Sequence, residues 1–257
     1  MTILHDCPFS LVFCGEYCHY RGMTILTQGN TKTVKGEAFG YLTKGMHFSP
    51  ANKSGHEVCQ WRSKGCTKAC LDTAGRGQME FTQNARIAKT KRFFEDRIAF
   101  MAQLGREIGN AIKLAGKKEM IPCVRPNLTS DLTWEDIADG DGDTILQKFP
   151  QTQFYDYTKS FGRMAKFLNG NFPSNYHLTF SRSEHNETLC DMVLAMGGNV
   201  AVVFRDQLPC TWKGFEVVNG DANDLRFLDK QPCIVGLIEK GLAKKDETGF
   251  VQEGVNS

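Results

Sequence analysis

The stretch "YHLTFSRSEHNETLCDMVLAMGGNVAVVFR", residues 176–205, decides the fold. Its two ends, "YHLTFS" and "NVAVVFR", are short apolar runs rich in β-branched and aromatic residues, as strands covered on both faces require. Between them "ETLCDMVLAM" reads as a helix. Gly197-Gly198 supply its stop, since glycine adopts the left-handed backbone of a helix end without steric cost. Strands joined through a helix run parallel, whereas a tight hairpin would make them antiparallel.

The alternation extends in both directions. "MIPCVR" (120–125), "QFYDYT" (153–158), "FEVVNG" (215–220) and "CIVGLIEKG" (233–241) read as further strands. "TWEDIADGDGDTILQKF" (133–149) and "SFGRMAKFLNG" (160–170) read as helices between them. Upstream, Ile98, Met101, Ile108, Ile112 and Ala115 recur at helical spacing and predict one long helix over about Gln83 to Leu114, with that stripe as core. Residues 24–50 alternate short apolar pieces with Gly, Asn and Lys, and read as one or two hairpin-like strands. "DQLPCTWKG" (206–214) is too short for a helix, so the repeat degrades there. The expected architecture is α/β: a partial (β/α) barrel-like, mostly parallel sheet with a cysteine-bearing loop near the N-terminus.

The chain of 257 residues suits one such domain over 23–257. A net charge of +2 gives no global argument for a polyanion partner, and no apolar run approaches the roughly 18–20 residues of a membrane span. "MTILHDCPFSLVFCGEYCHYRG" has neither the basic start nor the small-residue cleavage site of a secretory signal. "MTIL" recurs at Met23, so residues 1–22 are expected to be an extension, and Cys7, Cys14 and Cys18 carry little weight. Ten cysteines in this length fall short of a disulfide scaffold, and a reducing host-cell cytoplasm is the expected location.

"CQWRSKGCTKACLDTAGRG" (59–77) holds Cys59, Cys66 and Cys70 in a polar, loop-forming stretch. A disulfide would leave an odd thiol, and the intervening residues offer no apolar core in which to bury three. The remaining reading is a metal site. Structural zinc usually takes two close pairs of ligands, and only Cys66 and Cys70 make one, with Cys59 and His56 to complete a set. Three thiolates on one loop suit a [4Fe–4S] cluster with one iron left open.

Polar residues recur where the strands end: Asn127 and Asp131, Asp156 and Lys159, Ser181, Ser183 and Glu184, Asp221 and Asp224. Parallel sheets bind ligands at those carboxyl ends. Ordinary helix caps and turns use the same residue types.

"MHFSPANKSG", "VCQWRSKGCTKACLDTAGRG", "RPNLTSDLTWED", "FPQTQFYDYTK" and "VVNGDANDLRFLD" resemble the tailed-phage "gene product eighty-eight" family, from about Gly36 to Val251. That resemblance implies a phage origin. A weaker one runs to radical S-adenosylmethionine enzymes, which place a three-cysteine loop on a partial α/β barrel. It implies Cys59, Cys66 and Cys70 as cluster ligands, and Asn127, Asp156, Ser181, Ser183 and Asp221 around S-adenosylmethionine and an unknown small-molecule substrate. The spacing here departs from the usual C-x3-C-x2-C, and no "GGE"-type strand is present. In a rival enzyme reading Asp131, Asp156, Glu184, Asp221 and Asp224 gather a hard cation for hydrolytic phosphoryl chemistry on nucleic acid. A third reading is a non-catalytic, metal-stapled factor that binds a host protein or nucleic acid. The basic residues Lys32, Lys35, Lys44, Lys53, Arg62, Lys64 and Lys68 near the cysteines favour it.

Overall fold

A computed structural model describes residues 22–27 and 31–254. The expected extension, apart from Gly22, lies outside the described residues with Cys7, Cys14 and Cys18. The sheet has nine strands in the order β1-β2-β3-β4-β5-β8-β7-β6, with β9 also beside β5. They are β1 (Tyr41–Gly45), β2 (Ile121–Arg125), β3 (Gln153–Thr158), β4 (Tyr176–Ser181), β5 (Val200–Phe204), β6 (Thr211–Trp212), β7 (Phe215–Asn219), β8 (Ile234–Ile238) and β9 (Val251–Gln252). Every pairing is parallel except the short β6–β7 hairpin. The sheet is open rather than closed into a barrel.

The helices are α1 (Thr31–Val34), α2 (Lys64–Lys68), α3 (Glu80–Glu95), α4 (Arg97–Lys117), α5 (Ile145–Lys148), α6 (Phe161–Leu168) and α7 (Glu187–Ala195). The β4–α7–β5 unit is the one expected, and Gly197 takes its left-handed stop at φ 86°. Three expectations change. Among the described residues of 24–50 no hairpin forms: Thr27 bridges Gly45, α1 and a 3-10 turn follow, and β1 alone is a strand. The long helix is two, because Asp96 at φ −135°, ψ 61° leaves the helical region and accepts from the Ala99 N–H at 3.4 Å. Over 133–149 only α5 is helical, since the Asp139 carboxylate and Gly142 at φ 91° make turns of "DGDGD".

Helices α4, α6 and α7 pack on one face of the sheet. Phe154, Leu178, Phe180 and Val202 point there and meet Phe100, Leu104 and Ile108 of α4, Met164 of α6 and Val193 of α7. The far face is polar on β1 to β4, with Thr43, Arg125, Tyr155, Tyr157 and Thr179. Residues 224–229 lie across it: Phe227 packs on Tyr41 and Tyr155 with centroids 5.2 and 5.4 Å away. Arg125 donates to Asp224 at 2.8 Å. β4 and β5 pair only at Phe180–Val200 and Ser181–Ala201, then diverge, and β9 joins β5 at Val203 and Phe204.

Candidate functional site

Parallel strands bring the loops that follow them to one edge of the sheet, and the cysteine loop after β1 lies on that edge. On the β2 side, the Asp131 N–H donates to the Val58 carbonyl at 2.8 Å, and Cys59 Sγ sits 3.8 Å from the Thr129 carbonyl. On the β4 side, Glu184 takes the Ser63 hydroxyl and the Gly65 N–H, both at 2.6 Å. Ser63 also caps α2 by accepting from the Cys66 N–H at 3.0 Å. On the β8 side, the Leu242 N–H donates to Thr73 Oγ1 at 3.2 Å. The loop is therefore anchored on three strand ends.

Cys59, Cys66 and Cys70 are half-buried, free thiols. Burial pushes the Cys59 thiol up to about 12, and the neighbouring Cys70 and Cys66 push the same way. Cys70 is also raised by burial, with Cys66 and Asp72 adding to it. Cys66 thus lies within electrostatic reach of both Cys59 and Cys70. Even so, no three His, Cys, Asp or Glu side chains among the described residues are positioned to hold a metal ion as they stand.

Lys159, just past β3, is the cation of this edge. Its Nζ donates to Ser181 Oγ at 2.8 Å and lies 5.7 Å from the Phe250 ring centroid. Burial alone would depress the ammonium, but Cys66, Asp131 and Cys59 outweigh it and hold the group above its ordinary value. Among the described residues no carboxylate lies within ion-pair distance of Nζ. Lys159 was one of the strand-end polar residues, yet its weight was missed. Alternation along "YDYTK" puts it on the face of Tyr155 and Tyr157, away from Asp156.

The other expected residues separate. Ser181 is at the thiol edge, and buried Ser183 is next to it, its N–H held by Asn186 at 2.7 Å. Asn127 and Asp156 are buried on the helix side and satisfied by each other. The Asn127 N–H and Nδ2 reach Asp156 at 2.9 and 3.0 Å, and Tyr176 donates to it at 2.7 Å. Asp221 ties the end of β7 to Lys240 at 2.6 Å and Lys32 at 3.5 Å. His56 stacks on Phe94 at 4.3 Å and stands apart from the thiols as a ring contact. The other cysteines among the described residues are Cys123, Cys190 and Cys233, which are buried, and Cys210, which is exposed after β5.

The five acids of the hydrolytic reading are each committed elsewhere. Asp131 pairs with Arg163 at 2.8 Å, and Asp224 with Arg125 at 2.8 Å. Asp156, Glu184 and Asp221 have the partners given above. Where two of them do share a cation it is a side chain of the protein: Lys32 bridges Asp221 and Asp224, and Arg125 reaches both Asp224 and Asp156.

No helix among the described residues is long and apolar enough to cross a membrane. No curated protein and no solved structure matches the chain. The sequence pattern of the gene product 88 family matches residues 24–254, nearly the whole length. The chain belongs to the gene product 88 family.

Proposed function

We propose that Cys59, Cys66 and Cys70 hold a [4Fe–4S] cluster, making this an iron–sulfur-binding protein with a small molecule seated beside the thiols. The observation that carries the reading is Lys159. Drawing an ammonium out of water is costly; Asp131 offsets part of that cost, and thiolate charge on Cys66 and Cys59, once they ligate a metal, would offset more. The donor set fits by its chemistry: three soft thiols on one loop with no carboxylate among them. The side chains must close in from their present positions. Such a cluster supplies an electron and one iron open to a chelating molecule. Glu184 and Ser63 hold the loop, Lys159 and Ser181 offer donors to a ligand, and Val203 and Phe250 form an apolar wall. S-adenosylmethionine is the first such molecule to try. Strands β1 to β5 lie in chain order with the cysteine loop directly after β1, which favours it.

Anaerobic reconstitution with iron and sulfide tests the reading. About four irons per chain with broad visible absorption are expected, lost in Cys66→Ser and Cys70→Ser and kept in Cys210→Ser. Tightly held zinc, or no metal uptake, overturns it. Lys159→Met separates the charge argument from loop folding. The metal-free variant is expected to be as stable as the parent or about 1 kcal/mol more so, while the loaded variant loses iron faster. With a reductant and S-adenosylmethionine added, absence of 5′-deoxyadenosine removes that cofactor and leaves the cluster.

A further inference from the structure

The cations that the sequence groups around the cysteines divide once the chain folds. Lys32 pairs with Asp221 and Asp224, Lys53 with Asp72, and Arg62 with Glu57, while Lys35 donates to the Asp221 carbonyl. Lys64 and Lys68 stay exposed on α2, and the fold adds Arg76, Lys244 and Lys245. A buried seam joins these segments. Ala69 and Ala243 share one apolar cluster, and Gly241 lies so close to Thr73 that a Cβ there would meet its carbonyl oxygen at 2.8 Å. Among the described residues none of the five cations is in an ion pair. The exposed acids on this ridge are Glu80 and Glu247, because Asp72 and Asp246 are buried. Five cations against two acids exceed the +2 of the whole chain, so the positive excess of the molecule is concentrated here.

The ridge is also apolar in a way a solvated charged face is not. Leu71, Met79, Phe81 and Leu242 stand among these cations with 52%, 44%, 70% and 51% of their surface exposed. A duplex hides its base faces and would leave the Phe81 ring without a role. A single strand offers phosphates and flat, unstacked bases in alternation, which is the chemistry of cations interleaved with exposed apolar groups.

We propose that this ridge binds single-stranded nucleic acid, with phosphates on Lys64, Lys68, Arg76, Lys244 and Lys245 and bases against Phe81 and its apolar neighbours. The proposal does not require a cluster on the thiols. The test is fluorescence anisotropy of labelled oligo-dT and oligo-rU on the full chain over a salt series. Saturable binding is expected, weakened at least about tenfold in Lys68→Gln/Lys244→Gln/Lys245→Gln, with the log–log salt slope reduced by about 0.7 for each phosphate that loses its cation. Phe81→Ala is expected to weaken binding at least about fivefold and to leave an abasic strand unaffected. All four positions are exposed, and an unchanged thermal melt confirms that the variants fold. Lys113→Gln/Lys117→Gln on α4 is the control for non-specific charge. No binding at low salt, equal loss in the α4 control, tighter binding of duplex, or equal binding of an acidic peptide each overturns the proposal.

Discussion

Asp156 shows how a polar residue at a strand end can look like a ligand and serve the core. Its carboxylate takes three donors from Asn127 and Tyr176, and the Asn127 Oδ1 in turn accepts from the Leu132 N–H and Trp134 Nε1. Burial pushes the Asp156 carboxyl up to about 7. The folded protein therefore keeps a proton that the unfolded chain releases near pH 4. The stability from that proton is complete below about pH 4 and is lost as the pH rises through 7. Asp156→Asn should remove this dependence, so that the stability difference between variant and parent changes between pH 5 and pH 8 in urea titrations. Asp156→Ala, which strands all three donors, should cost roughly 3–5 kcal/mol at either pH. A parent whose stability rises over that interval as steeply as the Asn variant's would refute the buried-proton account. In the sequence Asn127 and Asp156 had the types and spacing of a site. What separates them from Lys159 is the face on which they stand, and one residue of phase along β3 decides that.

At the scale of elements, α2 is fixed less by its own five residues than by what it abuts. A Cβ on Gly65 would meet the Thr248 hydroxyl, the Phe250 Cβ at 2.7 Å and Glu184 Oε2 at 2.8 Å. Gly65→Ala should therefore push α2 off the segment before β9 and cost about 1–3 kcal/mol. Alkylation of Cys66 should quicken several-fold, measured by mass spectrometry against Cys210 as internal reference. An unchanged melt with an unchanged Cys66 rate would mean that the loop absorbs the methyl elsewhere. This contact was not legible beforehand, because it joins residues far apart in the chain. The α3–α4 break was partly legible. Asp96 is a capping residue type inside a periodic run, and its cap resets the helical phase, so that Ile98 ends 71% exposed while Met101, Ile108 and Ala115 remain core. The "DGDGD" stretch failed as a helix for the reason glycine and aspartate usually do: side chain and backbone make local turns instead.

For the whole molecule, near-continuous apolar runs with helices between them made the parallel sheet readable from sequence. That β8, rather than β6, lies beside β5 was not, since it depends on pairing across the short β6–β7 hairpin. Nor was the role of 224–229, which look like a polar loop and in fact cover the far face. Asp224 is fully buried with Arg125, Lys32 and Tyr155 around it. Asp224→Ala should leave the buried Arg125 guanidinium with only Asp156, at 3.9 Å, and cost roughly 3–5 kcal/mol, read from the urea midpoint. Arg125→Met/Asp224→Leu should recover most of that loss, and failure to recover would place the cost in packing rather than charge. The same pair sets a schedule for the nascent chain. Arg125 and its partner are 99 residues apart, and at ~5–20 residues per second the ribosome adds Asp224 about 5–20 s after Arg125. Strands β3 to β5 are made within that interval, and the charged far face they join has no cover until Asp224 follows.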